Sequence, residues 1–186
     1  MGDGSFKPGV LIAGEDFAGW DTLNDTIMGG RSQSSCSVSA AGLHWRGRLV
    51  SDGGGFISCR SPQWRPPLDL RGATALQLQL IGDGRRYKIA IACADLITGL
   101  SAALPGGLRW VHGFDTVAAS LQTITIPFAS LRPSVQARLL DVPLKFQPRR
   151  VERIQCLHSR FDDDGSPNPG YQDGDLDLLI QSIAVV

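Results

Sequence analysis

The sequence predicts an all-β protein, a β-sandwich of jelly-roll kind, and three observations carry that expectation. Period-two alternation recurs in short runs, with turn signals at roughly ten-residue spacing. Clusters of Gly, Pro, Asn and Asp separate the runs and supply the turn chemistry. No amphipathic helical pattern is sustained anywhere. The 186 residues, 42% of them hydrophobic, suit one globular domain over 1–186. A chain of that length buries roughly 70% of its unfolded surface, so neither metal nor disulfide is needed to hold it together.

Residues 10–12 and Phe17 give a short apolar opening. Residues 20–34, W-D-T-L-N-D-T-I-M-G-G-R-S-Q-S, follow as the stretch the rest of the chain is organised around. Asn24 and Asp25 can bond backbone groups a residue or two on, while Gly29 and Gly30 permit backbone angles or close approaches forbidden elsewhere. One reading is a connection between the first two strands, its polar side chains satisfying buried backbone groups. A functional reading adds a rim that touches a ligand or partner. Its candidate residues are Trp20, Asn24, Asp25, Met28, Gly29, Gly30, Arg31, Ser32 and Gln33, with Arg60 and Arg85 from nearby turns. Within it Asp25 and Gly29 are expected to be structural, and Arg31, Gln33 and Arg85 to be exposed contacts.

Beyond this stretch Cys36, Val38 and Ala40 alternate with serines, and Leu43, Trp45 and Leu49 alternate with His44, Arg46 and Arg48. Ala41-Gly42 reads as the hairpin turn between them. Asp52-Gly53-Gly54-Gly55 reads as the next turn, opening onto residues 56–60, so that three strands form a meander. Pro62, Pro66 and Pro67 make residues 61–72 an irregular crossing from one sheet to another. Residues 73–94 read as a hairpin. Leu76, Leu78 and Leu80 lead into the Gly82-Asp83-Gly84 turn, and Tyr87, Ile89, Ile91 and Cys93 return on one face. Arg86, Lys88, Ala90 and Ala92 are expected on a solvated face. A loop at 95–107 and strands at 110–117 and 121–128 follow. Helical turns are expected at 128–140, interrupted by Pro133. A strand carrying Val151, Ile154 and Cys156, an acidic loop at 161–175 and a closing strand at 176–186 complete about ten strands.

Equal numbers of acidic and basic residues, 18 each, remove the electrostatic footprint of a nucleic-acid binder. No apolar run approaches the ~20 residues of a membrane-spanning helix, and residues 1–9 lack a secretory or transit pattern. A cytoplasmic protein is expected, with peripheral membrane association left open. Cys36, Cys59, Cys93 and Cys156 have no zinc-site spacing and read as buried thiols, a Cys36 to Cys59 bridge between neighbouring strands being left open. No nucleophile elbow, H-E-x-x-H or phosphate loop is present, and His44, His112 and His158 stand on separate segments, so no catalysis and no cofactor are expected. Asp162, Asp163 and Asp164 before Gly165 read as a solvated acidic loop with calcium as the alternative, although Pro167 occupies the position where an EF-hand needs glycine. Trp20, Trp45, Trp64 and Trp110 read as core or sheet-face residues. Two of them on one open face would make a carbohydrate platform.

N-D-T-I-M-G-G-R-S-Q-S at 24–34 resembles the signature of the complex I intermediate-associated protein 30 family. G-G-G-F-I-S-C-R at 53–60, G-D-G-R-R-Y at 82–87, I-P-F at 126–128 and L-D-L-L-I-Q-S-I at 176–183 follow in the family's order. The resemblance implies a galactose-binding-like jelly roll and a non-catalytic assembly factor or chaperone that binds protein subunits of a membrane oxidoreductase or photosynthetic complex. Mitochondrial members carry a presequence and some plant and cyanobacterial relatives a dehydrogenase-like domain. Neither is read here, so the chain resembles the bare domain of bacterial members. A jelly-roll carbohydrate-binding module is the alternative.

Overall fold

A computed structural model describes residues 9–94, 107–141 and 143–186. The N-terminal stretch read for targeting, all but Gly9, and the expected 95–107 loop, all but Gly107, lie outside the described residues. Thirteen strands are described, numbered in chain order, and they form two antiparallel sheets packed face to face. The first sheet runs β3 (Gln33–Ser39), β4 (Gly42–Leu49), β13 (Gly174–Val185), β6 (Ala75–Ile81), β9 (Leu121–Pro127), with β1 (Gly9–Ala13) also paired to β13. The second runs β11 (Arg138–Leu139), β10 (Arg132–Val135), β8 (Arg109–Asp115), β7 (Arg86–Cys93), β12 (Val151–Ser159), β5 (Phe56–Arg60), β2 (Asp21–Asn24). This is the β-sandwich that the alternation predicts.

Alternation selects the inward faces. Leu43, Trp45, Leu76, Leu78, Leu80 and Leu178 from the first sheet meet Ile57, Tyr87, Ile89, Ile91, Ile154 and Cys156 from the second, all fully or almost fully buried. Each large aliphatic side chain in this layer contributes roughly 1.5 to 3 kcal/mol of burial. A register shift in β13 between Ile180 and Ser182 changes its phase, so Leu176, Leu178 and Ile180 point inward before it and Ile183 and Val185 after it.

Strand partners correct several expectations. The chain does not form a meander at 33–60: β3 and β4 pair, but β5 crosses to the second sheet and lies between β2 and β12. Cys36 and Cys59 are paired as a disulfide that joins one sheet to the other, while Cys93 and Cys156 are buried thiols. Residues 73–94 are not a hairpin either. β6 pairs with β13 and β9, whereas β7 pairs with β8 and β12, so the Gly82-Asp83-Gly84 turn carries the chain between sheets. Period two reports which face is apolar, and both kinds of neighbour satisfy it.

Residues 128–140 hold one 3-10 turn, Phe128–Ser130, and then the β10–β11 hairpin. That hairpin turns through Gln136 and Ala137, both at positive φ, without the Gly or Asn that marks such a turn in sequence. β2 lies inside the stretch read as a turn. The face of β7 expected to be solvated is covered in part, with Lys88 and Ala90 buried.

Candidate functional site

The stretch at 20–34 is built around one carboxylate. Asp25 opens a one-turn 3-10 helix, Asp25–Met28, and is completely buried. Its Oδ1 accepts the Ser32 backbone N–H at 2.9 Å, and its Oδ2 accepts the Ser32 hydroxyl at 2.7 Å, the Gly55 N–H at 2.7 Å and the Phe56 N–H at 3.4 Å. The Ser32 Oγ accepts the Val50 N–H at 3.0 Å in turn. Burial alone would push the Asp25 pKa up; the donors from Ser32, Gly55 and Phe56 together outweigh it and hold the acid below its usual value.

This carboxylate explains the glycines. A Cβ on Gly30 would lie 2.3 Å from the Asp25 Cγ, and one on Gly54 would lie 2.3 Å from its Oδ2. Gly29 has a different reason: its φ of 87° closes the 3-10 turn in the left-handed region, and a Cβ there would meet nothing. Two motifs 20 to 30 residues apart in sequence thus form one hydrogen-bonded unit that ties the start of β3 to the start of β5.

The other candidates divide sharply. Trp20 is a core residue, stacked edge-on against Phe17 at 5.3 Å, so it is unavailable for binding. Asn24 accepts the Ser34 hydroxyl at 2.7 Å, a side-chain bond and not a backbone one. Arg31 is exposed and pairs with Asp52; Gln33 is exposed at the start of β3. Met28 is 74% exposed, and its neighbour Ile27, which was not among the candidates, is 66% exposed. Arg60 lies on the outer face of the second sheet and pairs with Asp21 at 3.0 Å.

Arg85 is not an exposed contact. Its side chain is buried, donates to the carbonyls of Gln172 and Asp175, and pairs with Asp83 at 3.2 Å. The G-D-G turn gave it the look of a surface residue, but the turn crosses between the sheets. Asp83 there accepts the Tyr87 hydroxyl at 2.9 Å and the Asp177 N–H at 3.1 Å.

The acidic loop is likewise not simply solvated. Asp162 is buried and accepts the Arg86 Nε at 2.6 Å; Asp163 accepts the Gly113 N–H at 2.9 Å on the β8 edge; Asp164 accepts the Ser166 N–H at 2.8 Å. Lys88 Nζ reaches the Phe161 carbonyl at 2.5 Å. Among the described residues no group of three or more His, Cys, Asp or Glu could hold a metal ion. His158 is fully buried, stacked on Tyr171 at 5.6 Å, and its Nδ1 lies 2.9 Å from the Arg86 carbonyl, which makes Nδ1 the protonated nitrogen. The Tyr171 ring lies against the Asp25 unit, its hydroxyl 2.9 Å from where a Gly55 Cβ would be. No described helix is long and apolar enough to cross a membrane.

The fold is a jelly-roll β-sandwich of the kind found in carbohydrate-binding modules. The chain resembles the family 11 module of a cellulosomal cellulase of Clostridium thermocellum at a TM-score of 0.67, with 14% identity over 97% of this chain and 94% of that one. The same organism's family 11 module in complex with a β-1,3-1,4-mixed-linked tetrasaccharide also gives 0.67, with 15% identity over 96% and 95%. An agarase gives 0.60 with 9% identity, over 97% of this chain and 24% of that one. No curated protein sequence matches. The chain belongs to the complex I intermediate-associated protein 30 family, whose profile matches residues 11–180.

Proposed function

We propose that this protein is a non-catalytic assembly factor, a chaperone that binds protein subunits while a membrane-bound oxidoreductase or photosynthetic complex is built. The family match across residues 11–180 carries the reading. An exposed apolar turn supports a contact site for it. Ile27 and Met28 stand in solvent on a single turn whose first residue is locked by the Asp25 hydrogen bonds, with Arg31 and Gln33 beside them. Large apolar side chains on a fixed framework, rimmed by polar ones, suit burial by a partner protein.

The carbohydrate-binding reading rests on fold likeness alone, which is a weak warrant for function. Trp20, Trp45 and Trp110 are buried and Trp64 is packed against the core, so the tryptophans form no open platform.

The test is recovery of partners from the native host. Tagged protein carrying Ile27→Asp with Met28→Asp should melt within a few degrees of the unaltered protein, because both side chains are exposed, yet should lose co-purifying subunits. Undiminished recovery from the stable double variant would move the contact site away from this turn. Retardation in gels containing mixed-linked β-glucan, with no protein partner recovered, would favour the carbohydrate reading.

A further inference from the structure

Directly opposed residues in an antiparallel sheet share a face, so the registers place side chains on the outside of the second sheet. One row crosses six strands: Asp21, Arg60, Gln155, Ala90, Val111 and Arg132. The adjacent row carries Arg153, opposite Ala92, and Arg109, opposite Ser134. Arg149 and Arg150 sit in the 3-10 turn Pro148–Arg150 just before β12, at the same end of the sheet. The central strand carries only small side chains between these guanidiniums, Ala90, which is buried, and Ala92, which is partly exposed.

These arginines are unlike those of the first sheet. On its outer face Arg46 pairs with Asp177 and Arg48 with Asp175, each at 3.0 Å. On the second sheet Arg60 has Asp21, but among the described residues Arg109 and Arg153 have no carboxylate partner. Arg109 is half-buried, and burial first, then the like charges of Arg153 and Arg60, lower its pKa. Nearby Glu152 opposes this effect without forming an ion pair. Like charges held close, with no carboxylate paired to them among the described residues, are unfavourable until an anion arrives.

We propose that this outer face, centred on Arg60, Arg109, Arg153 and Gln155, binds an extended acidic segment of a client protein. The proposal rests on the assembly-factor reading and names a second contact for it. Arg109 and Arg153 flank β7 at two strand spacings, roughly 10 Å, which is about three residues of an extended chain. A guanidinium fork matches a carboxylate, and Gln155, whose Nε2 donates to the Ser58 hydroxyl at 2.8 Å, has its Oε1 left to accept from a passing main chain. A flat lipid surface would reach the half-buried Arg109 poorly, whereas a single polypeptide strand crossing β7 at the partly exposed Ala92 would reach it.

The experiment measures fluorescence anisotropy with a labelled Glu-Ser repeat peptide, and with sodium polygalacturonate, phosphatidylglycerol vesicles and a Lys-Ser peptide as comparators. The Glu-Ser peptide should bind, should weaken as salt rises, and should lose about tenfold or more in affinity with Arg109→Gln plus Arg153→Gln. Arg153→Glu alone should act in the same direction, in case the double variant does not fold. No binding of the acidic peptide, equal binding by folded variants, or preference for polygalacturonate or vesicles would overturn the proposal. Co-purification separates the two levels. Partners kept by the arginine variants but lost with Ile27→Asp and Met28→Asp would reject this face and leave the assembly-factor reading standing. No partner recovered by the unaltered protein would instead reject that reading.

Discussion

A fully buried carboxylate is costly unless donors surround it, and Asp25 shows how its neighbours were selected to do so. Asp25→Ala strands the N–H groups of Ser32, Gly55 and Phe56 and should cost about 3 to 5 kcal/mol. Gly54→Ala and Gly30→Ala force a Cβ onto the carboxylate and should each cost at least about 2 kcal/mol. Gly29→Ala meets only backbone strain and should cost about 1 kcal/mol. Urea unfolding that ranked Gly29 as the most sensitive of the three glycines would contradict this account. Two acid-sensitive groups should also separate by pH. Burial, helped by the charges of Arg85 and Lys88, lowers the His158 pKa to about 4, against its hydrogen bond to the Arg86 carbonyl. The unfolded chain takes up that proton below its ordinary value of about 6.5. Stability is therefore full above that pH and falls as pH drops toward 4, by about 3 kcal/mol in all. His158→Phe should flatten urea midpoints across that window, and the Arg86 carbonyl would keep its bond from Asn168 at 3.1 Å. Asp25, whose folded pKa is lowered, contributes above its unfolded value of about 3.9 and loses that contribution only as pH falls further, so Asp25→Asn should change the profile below about pH 4 alone.

At the scale of elements, the 160–173 loop behaves as a strap across one end of the second sheet. Arg86 holds Asp162, Lys88 holds the Phe161 carbonyl, Asp163 caps the β8 edge at Gly113, and Asn168 bonds the Ser159 carbonyl at 3.0 Å. Lys88→Met keeps the stem and removes the charge, so loop amides between 161 and 170 should exchange about tenfold faster or more, as expected for a lost charged hydrogen bond. β4 and β13 should be unaffected. Equal acceleration in all strands would mean that Lys88 supports the whole sandwich and not the strap. Much of this level was legible in the sequence. Alternation located the strands from β3 to β9 and the closing strand because one face of each is more buried than the other, in β3 only partly. Partners were not legible, since the G-D-G and G-G-G turns can close a hairpin or cross between sheets. The β10–β11 hairpin was hidden because Gln136 and Ala137 carry no turn signal. At the candidate site, Asp25 was readable as a turn-forming acid, but its partners Gly55 and Phe56 come from a motif 30 residues away that local reasoning could not join to it.

Across the whole molecule the balanced charge is spread unevenly. Carboxylates gather where the 160–173 loop, the G-D-G turn and the start of β13 meet, and there they are matched by Arg46, Arg48, Arg85, Arg86 and Lys88. Arginines without a carboxylate partner among the described residues gather at the opposite end of the second sheet, around Arg109, Arg150 and Arg153. This arrangement bears on the question that Asp162 to Asp164 raise about calcium. A hard cation takes six to eight oxygen ligands, mostly carboxylate or carbonyl and free of competing positive charge. The Asp162 carboxylate is already bonded to a guanidinium, Asp163 faces a backbone N–H, and the Phe161 and Asp162 carbonyls face the Lys88 ammonium at 2.5 and 3.3 Å. A calcium ion would have to displace both cations. Stability comes instead from the continuous layer of aliphatic and aromatic side chains between the sheets. A ligand that binds only the folded chain raises its stability in proportion to the logarithm of saturation, so a structural ion would declare itself on titration. Melting should therefore move by less than about 1 °C between EDTA and millimolar calcium, well inside the shift that even about 1 kcal/mol of binding would produce. A rise of several degrees with calcium, reversed by EDTA and abolished by Asp163→Asn, would show that the loop opens to a metal despite Arg86 and Lys88.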